Sequence, residues 1–107
     1  MVYLIQNMED LNKKISETEL RLIVIDFFVE WCGPCKHIES EFNNLRENYK
    51  DHVAFFKIDV DNDGCMEICK KFNIASMPTF VFVLDHKYMM NYRIEGANIE
   101  HIDNNIQ

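Results

Sequence analysis

The 107 residues (12.8 kDa) are enough for one domain with a single core; 48% hydrophobic residues, three glycines and two prolines make the composition of a folded chain, not a linker or a disordered tail. Eleven Lys and Arg against eighteen Asp and Glu leave a net charge of −7, which disfavours nucleic acid or an anionic membrane as partner, because phosphate demands a cationic surface. That acidity serves solubility or, more sharply, a basic protein partner.

No apolar run approaches the ~20 residues that span a bilayer. The opening MVYLIQNMEDLNKK has neither a basic n-region nor a small-residue cleavage site. We therefore expect a single domain over residues 1–107 and an intracellular, reducing home. There, four cysteines are catalytic, metal-binding or buried sooner than a structural framework.

VYLI (2–5) is short, apolar and β-branched, and Asn7 can cap a helix whose inner face is Met8, Leu11 and Ile15. LIVIDFF (22–28) is a nearly unbroken apolar run and reads as a central strand covered on both faces. From Cys35 onward, Ile38, Phe42, Leu45 and Tyr49 form one stripe of an amphipathic helix. VAFFKI (53–58) is a further buried strand, DVDNDG a polar turn, and Cys65, Cys69 and Phe72 the inner side of the next helix. After Pro78, TFVFVL (79–84) and YMMNYRI (88–94) predict a hairpin across DHK, and Ile99, Ile102 and Ile106 mark a last helix. The order β-α-β-α-β-α-β-β-α implies an α/β fold: parallel strands with right-handed crossovers, a closing antiparallel hairpin and helices on both faces. Sites in such folds lie beyond the carboxyl ends of the strands, where WCGPC falls.

Disulfide exchange needs one thiolate to attack and a second thiol to resolve the mixed disulfide. Cys32 is expected at a helix N-terminus, where unpaired N–H groups and the macrodipole favour an anion, so it reads as the nucleophile. Cys35, one turn in and expected to be less exposed, reads as the resolving thiol. Gly33 lets the backbone turn and Pro34 fixes φ in the first turn, together pre-organising the thiols. Trp31 either shields the site and offers partners an apolar surface or serves as a core aromatic.

Asp26 stands inside an apolar strand, so burial should raise its pKa toward neutrality and suit it to accept the proton Cys35 loses. Lys57, which interrupts the neighbouring run, reads as its partner; the alternative is a structural buried pair without a catalytic part. Cys65 and Cys69, four apart, are poorly placed for an unstrained disulfide: Cys69 is expected in the core and Cys65 is the candidate regulatory thiol. A zinc site built from all four cysteines is weaker, because the gap between the pairs is long and Gly-Pro suits exchange better than a knuckle, so no metal is expected. His37, near the pair in sequence, reads as a solvated histidine.

DFFVEWCGPCK, KIDVD, ASMPTFVF and EGAN, in this order and spanning essentially the whole chain, resemble the thioredoxin family, specifically the small thioredoxins of animal cells. The lowered thiol pKa of that motif is itself a standard example of the effect. The resemblance implies the thioredoxin fold with a central mixed sheet, and a cis peptide at Pro78 beside the cysteines. It also implies backbone at Met77 free to pair with an extended substrate, and a substrate-groove loop at Gly96 and Ala97. Trp31, Gly33, Pro34, Asp26 and Lys57 match the family's motif positions. Ser40 replaces a proline that kinks the long helix in many members, and both DVDNDGC and LDHKYMMNY look longer than usual.

The expected function is that of a cytoplasmic protein-disulfide reductase, with nuclear entry open to it, monomeric and with no bound cofactor. The resemblance implies electrons from NADPH through thioredoxin reductase, and clients such as peroxiredoxin, methionine sulfoxide reductase and ribonucleotide reductase. The alternative is a redox-dependent binding or adaptor module for a dedicated partner. An oxidant or isomerase shares the fold, but usually with another dipeptide between the cysteines and a secretory signal.

Overall fold

The seven residues of Leu22–Phe28 form the middle strand, β2, of a mixed sheet in a computed structural model that describes residues 2–107. β2 lies parallel to β3 (Val53–Asp59), which in turn lies parallel to β1 (Val2–Leu4), and antiparallel to β4 (Thr79–Leu84). Because side chains alternate along a strand, Ile23, Ile25 and Phe27 of β2 enter one core while Val24 enters the other. The first core is closed by α1 (Met8–Glu17) and α3 (Met66–Lys71), through Leu11 and Ile68. The second is closed by α2 (Gly33–Tyr49) and α4 (Ile99–Ile106), through Ile38, Phe42, Leu45 and Ile102. Phe42 anchors α2, with its ring 5.7 Å from that of Phe55 and 5.4 Å from that of Phe80.

Asn7 caps α1 as the sequence suggests, its side-chain oxygen accepting the Asp10 N–H at 2.7 Å. Asn62 caps a short 3₁₀ turn, Asp63–Cys65, that leads into α3 and lets Cys65 precede that helix instead of lying within it.

The hairpin departs from expectation. Its turn is the two residues Asp85 and His86, both at positive φ (50° and 68°), and Arg21 holds the Asp85 carboxylate in a two-point ion pair. The predicted strand 88–94 divides into β5 (Lys87–Tyr88), a 3₁₀ turn (Met90–Tyr92) and β6 (Ile94–Glu95), both strands pairing with β4. With Tyr88 opposite Val83, unbroken pairing would set Asn91 opposite Phe80; Ile94 stands there instead. The physical reason is the two cores. Tyr88 packs on the α1/α3 side and Ile94 belongs to the α2/α4 side. Residues six apart on an unbroken strand share a face, so an odd number of extra residues must intervene.

Candidate active site

β2 ends at Phe28 and the chain turns into α2, placing Cys32 at the helix N-cap. The Cys32 and Cys35 sulfurs are joined in a disulfide with Cα atoms 5.2 Å apart, and the Cys35 N–H also points at Cys32 Sγ, 3.0 Å away. Cys32 Sγ is 3.7 Å from the Met77 carbonyl oxygen. The Met77–Pro78 peptide is cis, as the resemblance implied, and Pro78 is buried beside the pair.

Exposure runs opposite to expectation. Cys32 is only 6% exposed, whereas Cys35 is half-buried. The Cys32 N–H is tied back to the Val29 carbonyl and its sulfur is covered by the 76–78 loop, while Cys35 in the first turn of α2 lines an open cleft. Trp31 is not a core aromatic: it is 71% exposed, and its indole N–H donates to Asp61 Oδ2 at 2.8 Å. Pro34 occupies the first turn of α2. Gly33 is exposed, its φ is not positive, and a Cβ added there would meet nothing within 4 Å; the turn itself does not require glycine.

Asp26 shares with Val24 and Phe28 the face of β2 beneath α2. It is 8% exposed, its Oδ1 has no hydrogen-bond partner among the described residues, and its pKa is pushed up from 3.8 to about 7. Burial is the main cause; the Lys57 charge opposes it and the Glu39 charge adds to it. Lys57 is the register partner of Asp26 on β3, but forms no ion pair with it. Its ammonium lies 4.4 Å from the centre of the Phe28 ring, a cation–π contact on the same face. The expected buried pair is therefore two neighbours, with the carboxyl left free. A cleft of about 120 Å³ joins Asp26, Cys35, Glu39 and Lys57, with the exposed Glu30 and Lys36 also on its wall.

The second cysteine pair reverses the expected burial. Cys65 is fully buried with its thiol directed at the Ile5 carbonyl oxygen (3.4 Å), and Cys69 is the half-buried one. Burial pushes both thiols up. Among the described residues, no group of three or more His, Cys, Asp or Glu side chains is placed to hold a metal, and no helix is long and apolar enough to cross a membrane. His37 is exposed.

Opposite Met77, Gly96 at φ +117° donates its N–H to the Pro78 carbonyl at 2.8 Å, and Ala97 is exposed beside it. The structure thus brings Cys32, Cys35, Met77 and Pro78 together, sets Gly96 against Pro78, and places Asp26 behind the pair. Sequence reasoning missed Asp61 and Glu39, one fixing Trp31 and the other lining the cleft. Neither breaks a pattern, since an exposed acid in a loop or on a helix gives no signal. It also missed Thr79, fully buried with its hydroxyl donating to the Ser76 carbonyl at 2.6 Å; a polar residue opening an apolar strand was the available sign.

A closed dithiol at a helix N-cap, with a cis-proline loop over one sulfur and a buried free carboxyl behind the other, defines a thiol–disulfide oxidoreductase. The thioredoxin family model matches residues 2–107. Thioredoxin from Ophiophagus hannah is 33% identical over 107 residues, covering 100% of this chain and 97% of that one. Thioredoxin-T of Drosophila melanogaster is 42% identical over 83 residues, 78% of this chain but 52%, about half, of that longer protein. The crystal structure of Fasciola hepatica thioredoxin superposes with a TM-score of 0.87 at 38% identity, covering 97% and 95% of the two chains. The chain belongs to the thioredoxin family. Its Cys32–Gly33–Pro34–Cys35 pair fits the protein-disulfide reductase role of that family.

Proposed function

We propose that this chain reduces disulfides of client proteins by a two-step exchange in which Cys32 attacks, Cys35 resolves and Asp26 takes up the proton. The observation that carries the reading is the Cys32–Cys35 disulfide at the head of α2, with Asp26 and Cys35 on one cleft. In the reduced protein the Cys35 N–H and the helix N-terminus stabilise a Cys32 thiolate. That thiolate attacks one sulfur of the client disulfide, forming a mixed disulfide and releasing the first client thiolate. Cys35 then gives its proton to the Asp26 carboxylate and attacks Cys32 Sγ, releasing the second client thiolate. Two electrons have passed to the client, and the chain is left in the disulfide form. An acceptor with a pKa of about 7 is divided between its two forms near neutral pH, so it can take the proton and return it through the cleft.

Trp31, Met77, Pro78, Gly96 and Ala97 form the client-binding surface, with Gly33, Pro34 and Lys57 shaping the pair and its cleft. Gly33 leaves open space where a client approaches. We assign the electrons to NADPH through thioredoxin reductase, with no cofactor bound to this chain. The clients are disulfide-bearing proteins of the kinds the family serves: peroxiredoxin, methionine sulfoxide reductase and ribonucleotide reductase. A monomer in the cytoplasm, with entry to the nucleus, suits a pair that must be kept reduced.

The test is NADPH oxidation by thioredoxin reductase with insulin disulfides as terminal acceptor. Turnover by the parent, abolished in Cys32→Ser, is the expected result. A parent that forms its disulfide but is not turned over would leave a dedicated binding role in its place.

A further inference from the structure

The two segments that face each other at the site, 72–78 and 94–97, are tied together from below by one side chain. Arg93 donates from Nε to Glu95 Oε1 (3.2 Å), from Nη2 to the Asn73 carbonyl (2.9 Å), and from Nη1 to the Phe72 carbonyl and to Tyr88 Oη (3.3 Å). Phe72 and Asn73 are the residues on which α3 ends, Asn73 in the left-handed region at φ 52°. The chain runs from there in four residues to Met77. Glu95 directly precedes Gly96. The Arg93 side chain is only 16% exposed, so the guanidinium is held, not waving in solvent.

This clamp exists because of the three-residue turn at Met90–Tyr92. Ile94 points to the α2/α4 core, so its neighbour Arg93 points to the α3 side, where Tyr88 also packs. Unbroken pairing would have sent Arg93 to the opposite face. Reaching two carbonyls, a hydroxyl and a carboxylate from one position needs a planar fork of five donors, which lysine lacks.

We propose that Arg93 is a positioning residue for client recognition: by fastening the end of α3 to β6 it sets the spacing between the Met77 backbone and the Gly96–Ala97 loop. This rests on the reading of those two segments as the client groove. A small disulfide needs only the Cys32 sulfur and does not use the groove.

The test compares Arg93→Ala and Arg93→Lys with the parent on two substrates, insulin and 5,5′-dithiobis(2-nitrobenzoate), together with the redox potential against glutathione. We expect Arg93→Ala to lower kcat/KM for insulin about tenfold, mainly through KM, with the small disulfide changed less than about twofold and the potential unmoved. Arg93→Lys keeps the charge at the helix end and should fold even if the alanine variant does not; it should show the same split, near threefold. An equal fall on both substrates, a shifted potential, or no change on insulin would overturn the proposal. Ala97→Asp alters the groove without touching the clamp. If it leaves insulin turnover at the parental value, the groove itself is misassigned and the proposal falls with it; if it raises KM for insulin while Arg93→Ala does not, the clamp alone is wrong.

Discussion

Two cysteine pairs stand near the starts of two helices, and only one of them is built for exchange. Cys32 is the N-cap of α2 and its sulfur receives the Cys35 N–H; Cys65 is the N-cap of α3 and makes no side-chain capping bond. Cys32 keeps 6% of its surface exposed beneath the Met77 carbonyl, whereas Cys65 is sealed against the Ile5 carbonyl at full burial. Burial raises the thiols of the second pair, which disfavours the thiolate that exchange needs, and their spacing of four places them along the helix instead of across its mouth. The same residue type is thus a reactive group or a small core hydrophobe, according to which backbone groups face its sulfur.

The largest effect should separate the pairs outright. Cys35→Ser is expected to reduce steady-state insulin turnover to background, because no thiol remains to resolve the mixed disulfide. Cys65→Ala is expected to keep parental turnover and lose about 1 kcal/mol of stability, the cost of emptying a small buried site. Comparable losses of turnover in both would erase the distinction.

The buried carboxyl is the second difference. In the folded protein Asp26 holds its proton up to about pH 7, against 3.8 when unfolded, so its burial costs stability progressively as pH rises between those values. Asp26→Asn removes that cost. Urea unfolding should show the variant equal to the parent below pH 4 and more stable by up to about 4 kcal/mol at pH 7 and above. If Asp26 is the acceptor proposed above, the same variant should also resolve the mixed disulfide more slowly.

Each pair also has a neighbouring glycine, and these should respond differently. A Cβ on Gly64 would lie 2.5 Å from the Gln6 carbonyl oxygen, a backbone atom with little room to yield, so Gly64→Ala should cost about 2 kcal/mol. Gly33→Ala meets open space within a helix and should change the unfolding free energy by less than about 0.5 kcal/mol. The smallest effects concern the surroundings of Asp26: by NMR titration its pKa should fall in Glu39→Gln and rise in Lys57→Met.

Much of this was legible in the sequence, because strong periodic signals and a specific motif do not depend on distant contacts. The strand 22–28, the stripe Ile38–Phe42–Leu45, the Asn7 cap and the WCGPC junction all read correctly. The failures have one cause: exposure and pairing are decided by what packs across from a residue. Cys32 is covered by a loop 45 positions away, and Cys65 by the Ile5 carbonyl. Trp31 is held outward by Asp61, and Lys57 prefers the Phe28 ring to Asp26. The divided strand at 87–95 follows from two cores that each claim one of its residues, a demand that no local pattern displays.

The most direct measurement is to mix reduced Cys35→Ser protein with insulin, quench with acid and locate the trapped mixed disulfide by peptide mass spectrometry. The account predicts a single adduct on Cys32, with Cys65 and Cys69 unmodified. An adduct on Cys69 in place of Cys32, or no adduct at all, would contradict it.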